Sequence, residues 1–568
     1  MKRNILLIFV SVFSLWGCSL EEKPTSFVNR DTFYKTVEQA NSALTACYMP
    51  LNNVYKANFL LAVEACTDIW YSTSSTVDSS LDVTPAKPQF GKTVWTQCYI
   101  GIMRCNEVIE CINNSPYLTE EEKMPLQAEG RVLRAWYYHL LTSFFNGVPF
   151  YTYMVKDDST LEKIRRLPRT DANEIRRELY NDLRDNALPY FTVENGLKRR
   201  ACDLANYKGG YALCCMLMAK MALWYEDWEG ALIPLKLIED LYGEFTEERY
   251  PLRETMWRYK NTAESIFEIQ HEYSTEGMRY YSDAARMLMP KWSKDFIYDG
   301  IEVPVLGNDG TSWNAIRANN IFGIFRPATG TSMSENTNYK GNSMFDPLPL
   351  TYDEYSSSSN RYLTKLDFEA IKAGKIRDKK IDRRVYYVLG LGNLDSLAAY
   401  GVLPTRSEKE STFSLARSSG VGWGGPKFWR LNMIKSYDGN NYKVFRYADA
   451  LLMMSECYIG LSDAQNAMKY LNMTRARAGV DPIINFNGFE DLTATLRCER
   501  ARELGGEFQR KFDLVRWGVW FEQTYANTNN STLKNHMKPC HRYYPIPDTE
   551  CALSGRILTN DEYVQYGM

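Results

Sequence analysis

Apolar residues recur at three- and four-residue spacing through two long stretches of the chain, from about Val37 to Leu241 and from about Arg446 to Trp520. That spacing gathers the apolar positions on one helix face, so both stretches predict strings of amphipathic helices. Between them, residues 271–430 lose the helical period. Gly, Ser, Asn, Pro and aromatics take over, as in Leu306-Gly307-Asn308-Asp309-Gly310-Thr311-Ser312-Trp313. A long irregular insertion carried on a rigid helical frame is where binding usually resides. Its aromatic content argues against disorder.

The helical pattern repeats. Tyr211-Ala212, Met218, Asp227, Ala231 and Leu235 recur as Tyr447-Ala448, Met454, Asp463, Ala467 and Leu471, at one constant offset. In both copies a long apolar helix ends near the Asp, which can cap the next helix, and the small Ala lets that helix lie close to the first. This is the helix–turn–helix plan of tetratricopeptide-type units. Pro234 in the first copy predicts a kink. The fold class expected is therefore mainly α, a tetratricopeptide-like scaffold of helical pairs with a long loop-rich insertion forming the ligand face.

The N-terminus adds a location. Lys2 and Arg3 supply a basic start, and Ile5 to Phe13 form an apolar run too short to span a bilayer. Leu15-Trp16-Gly17-Cys18 follows, the layout of a bacterial lipoprotein signal with Cys18 as the lipidated residue. A plain secretory signal with a chance cysteine is the alternative. Residues 1–17 then read as signal peptide, 18–35 as a lipidated tether, and 36–568 as one domain. Its helical scaffold occupies about 36–270 and 431–550. No second apolar segment reaches membrane-spanning length, so anchoring rests on lipid.

Composition removes several classes. A net charge of −2 without a long run of either sign argues against nucleic acid, which demands a basic stripe. Aromatics are high at 14%, with 39 Tyr and 13 Trp, ample for a binding face. Twelve cysteines besides Cys18 show no CxxC pair and no Cys/His zinc spacing. Cys98, Cys105, Cys214 and Cys457 fall on helix faces as buried thiols, and Cys540 with Cys551 is the one pair to test for a bridge.

Catalysis finds no foothold. Glu499 and Glu503 lie one helical turn apart near Asp513, yet Arg500, Arg502, Arg510 and Arg516 crowd the same segment. The reading is a structural salt-bridge web, as it is for Arg446 and Asp449. Gly420-Val421-Gly422-Trp423-Gly424-Gly425 opens no helix after a strand, Gly91-Lys92-Thr93 lacks the upstream glycine of a phosphate loop, and hydrolase and zinc-helix motifs are absent. No cofactor or metal is expected, and no EF-hand pattern is present.

A resemblance then enters. Ala128-Glu129-Gly130-Arg131-Val132-Leu133-Arg134-Ala135-Trp136-Tyr137-Tyr138, Asn146-Gly147-Val148-Pro149 and Glu264-Ser265-Ile266-Phe267-Glu268-Ile269 occur in order. Arg446-Tyr447-Ala448-Asp449-Ala450-Leu451-Leu452, Arg475-Ala476-Arg477-Ala478-Gly479, Phe512-Asp513-Leu514-Val515-Arg516-Trp517-Gly518 and Tyr544-Pro545-Ile546-Pro547 follow. Together they make the chain resemble the SusD/RagB-like outer-membrane nutrient-binding lipoproteins of Bacteroidota. Two departures are Ser455-Glu456-Cys457 and the Gln565-Tyr566-Gly567-Met568 ending. The resemblance implies an outward-facing lipoprotein of the outer membrane that lids a TonB-dependent, SusC-like transporter. It also implies an oligosaccharide ligand, with peptides or a glycoconjugate as the alternative; a purely structural lid is a further reading.

Sugar recognition needs flat rings for pyranose C–H faces beside Asp, Asn or Arg for the hydroxyls. Asp68, Trp70 and Tyr71 open a Ser/Thr-rich loop and fit that recipe. Trp292, Trp313, Arg326 and Tyr339 form a second group in the insertion. Trp95, Trp136, Trp224 and Trp517 sit in helical motifs and are expected to pack.

Overall fold

Helix α1 (Val37–Val54) starts where the Thr36 side chain accepts from the Gln39 N–H. It is followed by short α2 (Ala57–Val63) and the long α3 (Phe90–Asn113). Helix α4 (Glu120–Phe145) begins with a capping box in which Thr119 and Glu122 satisfy each other's backbone donors. Next come α5 (Ala172–Asn186), α6 (Tyr211–Trp224) and α7 (Trp228–Tyr242). The C-terminal block holds α8 (Tyr447–Gly460), α9 (Ala464–Arg477), α10 (Gly488–Leu504) and α11 (Arg510–Arg516). This computed structural model describes residues 33–72, 77–204, 207–255, 259–272, 281–283, 439–479, 482–528 and 530–568, with short pieces between 291 and 427. The signal, Cys18 and most of the tether lie outside the described residues.

The repeated pattern is two stacked hairpins, α6–α7 and α8–α9. Asp227 accepts from the Gly230 N–H at 2.9 Å and Asp463 from the Asn466 N–H at 3.0 Å. Ala231 and Ala467 are both fully buried, as close helix approach requires. The hairpins meet where Gly460 leaves room for the Trp228 ring, space that a Cβ there would fill. The Tyr242 and Tyr447 rings lie 5.1 Å apart at the other end of this contact. Helix α6 is buried on every side from Tyr211 to Leu223 and forms the axis of the main core.

Two prolines sit inside helices, and both are repaired. A proline lacks the N–H that would satisfy the carbonyl four residues earlier. For Pro234 that carbonyl belongs to Gly230, and the Tyr180 hydroxyl of α5 donates to it at 2.7 Å. Helix α7 therefore runs on as one element through the position where a kink is expected. For Pro50 the carbonyl is that of Ala46, and Arg104 of α3 donates to it at 2.9 Å. Tyr137 of α4 donates to the next carbonyl, Cys47, at 2.5 Å. Each flaw in a helix thus becomes a bond to its neighbour.

The insertion leaves the frame through a two-stranded neck. Strand β2 (Ser265–Ile269) pairs antiparallel with β4 (Tyr442–Arg446), Ile269 opposite Tyr442 and Ser265 opposite Arg446. All ten residues of the ladder are buried. Two further strands complete the labels used below: β1 (Trp70–Ser72) and β3 (Ile321–Gly323).

At the base of the neck lies a buried ion network. Arg446 reaches Glu264 at 2.6 Å, Glu503 at 2.7 Å and Glu507 at 2.8 Å. Arg477 binds Glu264 at 2.6 Å and also Glu503. Two cations come from the insertion: Arg384 binds Glu499 at 2.5 Å and Glu503 at 3.1 Å, and Lys427 binds Glu507. A neighbouring set joins Arg500 to Asp449 and Asp513, Lys220 to Asp449, and Arg516 to Glu456. Burial alone would push the Glu499 carboxyl up; Arg384, Arg502 and Arg475 override it and hold it at about 2. Glu503 is held lower still, against burial, by Arg477, Arg446 and Arg384. The expected salt-bridge web is present, and its carboxylates are shut away from substrate.

The thiols are buried and free at Cys98, Cys105, Cys214 and Cys457. Cys540 and Cys551 are free as well, so that pair forms no bridge. Among the described residues no helix is long and apolar enough to cross a membrane, and no group of His, Cys, Asp or Glu is placed to hold a metal ion.

Two stability predictions follow from these bonds. Tyr180→Phe strands the part-buried Gly230 carbonyl and should cost about 1 kcal/mol in urea unfolding; adding Pro234→Ala, which restores the helical donor, should recover part of it. Glu503→Gln leaves three buried guanidinium groups short of charge and should cost about 3–5 kcal/mol at neutral pH. Because the folded-state carboxyl lies below its unfolded value, that difference is intact above pH ~4.5 and shrinks as the pH falls below it.

Candidate functional site

The candidate face begins where α2 ends. Residues 64–72 run from the end of that helix into β1, and the C-terminal block pins them in three places. Arg510 forks onto Asp68, Nε to Oδ1 at 2.8 Å and Nη2 to Oδ2 at 2.6 Å. The Trp520 indole N–H donates to the Cys66 carbonyl at 3.0 Å. Asn530 donates from Nδ2 to the Ser72 carbonyl at 2.6 Å. Bidentate, charge-assisted contacts of this kind fix orientation as well as position.

Strand β1 is then completed by the insertion. It pairs antiparallel with β3, Trp70 opposite Gly323, Tyr71 opposite Phe322 and Ser72 opposite Ile321. Residues 70–72 and residues 321–323 of the insertion therefore meet backbone to backbone. Trp292 lies in a two-residue strand opposite Leu415. Trp313, Arg326 and Tyr339 lie outside the described residues.

The pairing corrects two expectations. Trp70 is expected as a ligand platform, yet it is 0% exposed and packs in the main core. Asp68 is expected to meet hydroxyls, yet it is 2% exposed and its carboxylate is occupied by Arg510. In a strand successive side chains alternate between faces, and Trp70 and Ser72 take the two buried positions. A three-residue motif could not reveal this, because the residue that claims Asp68 lies 442 positions away. Trp95 and Trp136 are buried, as expected of packing residues. Trp224 and Trp517 are half-buried, each lying beneath a guanidinium: Arg176 sits 4.0 Å over Trp224 and Arg497 5.0 Å over Trp517.

Glu64 lies just before the pinned segment, at the C-terminal end of α2. Burial pushes its carboxyl up to about 8, with the Phe508 and Arg510 amides opposing. The base of the face is accordingly a neutral acid at physiological pH, beside the ionised Asp68–Arg510 pair.

Comparison with known proteins places this architecture. Residues 419–563 match the model described as the SusD family, and residues 20–188 match one described as starch-binding associating with outer membrane. Over these two segments the chain is similar to the SusD family. Its relatives include SusD-like protein P25 of Formosa agariphila, 24% identical with 98% of each chain covered. SusD-like protein P38 of the same organism is 22% identical over 90% of each. Among solved structures, a SusD homolog from Bacteroides thetaiotaomicron superposes with a TM-score of 0.64 at 17% identity, covering 93% of this chain and 97% of that one. Surface glycan-binding protein A from Bacteroides thetaiotaomicron, solved in complex with laminarihexaose, superposes at 0.55 with 18% identity, covering 93% and 99%. At such identities the likeness is one of fold, over 93% of this chain in both cases. SusD proteins are binders, which agrees with acids locked into ion pairs.

Replacing Glu64 by Gln tests the neutral acid. The folded-state carboxyl titrates above its ordinary 4.5, so wild-type stability is full at low pH and erodes as the pH rises toward about 8. Relative to wild type, the Glu64→Gln variant should gain stability across that window and then level off, as read from urea midpoints at successive pH values.

Proposed function

We propose that this SusD-like protein is a non-catalytic, lipid-anchored surface receptor that captures oligosaccharides on its loop face and delivers them to a TonB-dependent, SusC-like transporter. The single observation that supports a glycan is the family description itself, starch-binding associating with outer membrane, matched over the block that carries α1 to α5. Solved relatives named as a laminarin binding SusD-like protein and a laminarihexaose complex are consistent with it. Anchoring through Cys18, with residues 1–17 removed and 18–35 as tether, supplies the outward location in this reading.

With Asp68 and Trp70 committed to the frame, the ligand set we propose is Tyr71, Trp292, Trp313, Arg326 and Tyr339. Tyr71 holds the alternate register position in β1, between two buried residues and opposite the insertion's Phe322. Aromatic rings would cover sugar C–H faces while Arg326 meets hydroxyls. The domain boundaries keep the same logic: one unit from residue 36 on, with the insertion of about 271–430 as its binding part.

Affinity gels cast with starch, laminarin and microbial polysaccharides test the reading. Wild type should be retarded by at least one of them without releasing reducing ends. Tyr71→Ala and Trp313→Ala should each weaken that retardation by about tenfold, or ~1.4 kcal/mol. Unchanged migration of both variants would instead favour a purely structural lid.

A further inference from the structure

A second recessed site lies on the helical frame itself. A cavity of about 430 Å³ opens between the C-terminal end of α3, the middle of α4 and the outer face of α5. That volume is in the range of small-molecule sites. It shares no residue with the 64–72 segment or with the insertion. Its wall is mostly polar: Asn113, Gln127, Arg131, Arg134, Asp182 and Glu178, with the Phe150 ring as an apolar patch.

The polar groups are held in place before any ligand arrives. Asp182 binds Arg131 at 2.5 Å and Arg134 at 2.7 Å. Arg134 also donates to the Asn106 side chain at 2.9 Å and to the Thr152 carbonyl at 3.1 Å. Yet Arg134 is only 3% exposed, and among the described residues its Nε–H has no partner. A buried guanidinium donor left open costs free energy unless something fills it. Charge sets the class of ligand. Glu110, Glu178 and Asp182 are balanced by Arg131, Arg134 and Lys156, the last bound to Glu110 at 2.9 Å. A site with paired charges and surplus amide and carboxylate acceptors suits a neutral polyhydroxyl compound.

Glu110 also lines an adjoining cavity of about 360 Å³, beside Asn114, Ser115 and Tyr117. Tyr117 is 56% exposed with the Lys35 ammonium 5.5 Å from its ring centroid, and the exposed part of the ring can take the apolar face of a sugar. We infer that these two adjoining cavities form a second carbohydrate site, taking a neutral disaccharide-sized unit with one sugar against Arg134, Gln127 and Phe150 and the next over Tyr117. The site is independent of the loop face and would let one receptor hold a long glycan at two points.

Saturation-transfer NMR on the full-length protein in detergent, with maltose, cellobiose and laminaribiose as probes, tests this. At least one disaccharide should receive transfer. Measured in a Tyr71→Ala background, which weakens the loop face, Asn113→Trp, which fills the cavity from an exposed position, and Tyr117→Ala should each cut that transfer by about tenfold. Matching thermal melts would confirm that both variants fold. Transfer to none of the three probes, or transfer undiminished in both variants, overturns the second site. Polysaccharide retardation on gels reads the loop face separately, so failure of either site is visible without the other.

Discussion

Everything outside the helices depends on the charges buried beneath the neck. Arg446 and Arg477 bind the frame's own acids, while Arg384 enters from the insertion to bind Glu499 and Glu503 of α10 and Lys427 binds Glu507 just past it. Taking so many ions out of water is costly, and apolar replacements of equal size are often as stable. What the ions supply is selectivity. A misplaced insertion would leave Glu499, Glu503 and Glu507 short of cations in a dry interior. That penalty is a physical reason for Arg384 and Lys427 to keep fixed places against the frame.

The frame solves a different problem with neutral groups. Pro50 and Pro234 would each leave a carbonyl of their helix without a donor. Instead Arg104 and Tyr180 satisfy them from adjacent helices. The same economy appears along residues 68–72, held by Arg510 at Asp68, by Asn530 at Ser72 and by β3 along β1. Elements remote in sequence are thereby held in fixed relation, as a binding face requires, since loops position ligand groups only as well as their supports allow.

Much of the frame was legible in the sequence because its signals are local. The 3.6-residue period, the Asp227 and Asp463 caps and the Ala231/Ala467 repeat all act within one hairpin, and all appear as expected. The arginine-rich stretch after Glu499 also announced its salt bridges, since acids and bases lie on the same helix. The face was less legible. Asp68 and Trp70 carry the residue types of a sugar platform, but their burial is decided by Arg510 and by packing against distant helices. The strand pairings of the insertion, β1 with β3 among them, leave no local trace, because register is set by partners far along the chain. The recessed cavity beside α4 was hidden for the opposite reason: Arg131 and Arg134 belong to a motif already explained by fold.

The neck carries one more consequence. Residues 270–441 form a closed loop whose ends are fixed by a short buried ladder. Closure entropy grows only with the logarithm of contour length, so doubling such a loop costs about 0.6 kcal/mol. Lengthening or trimming the excursion therefore scarcely burdens the helices that support it, provided the cationic pegs are kept. A lineage can remodel what it grasps at almost no thermodynamic penalty, which fits solved structures that share this fold while fewer than one residue in five stays the same.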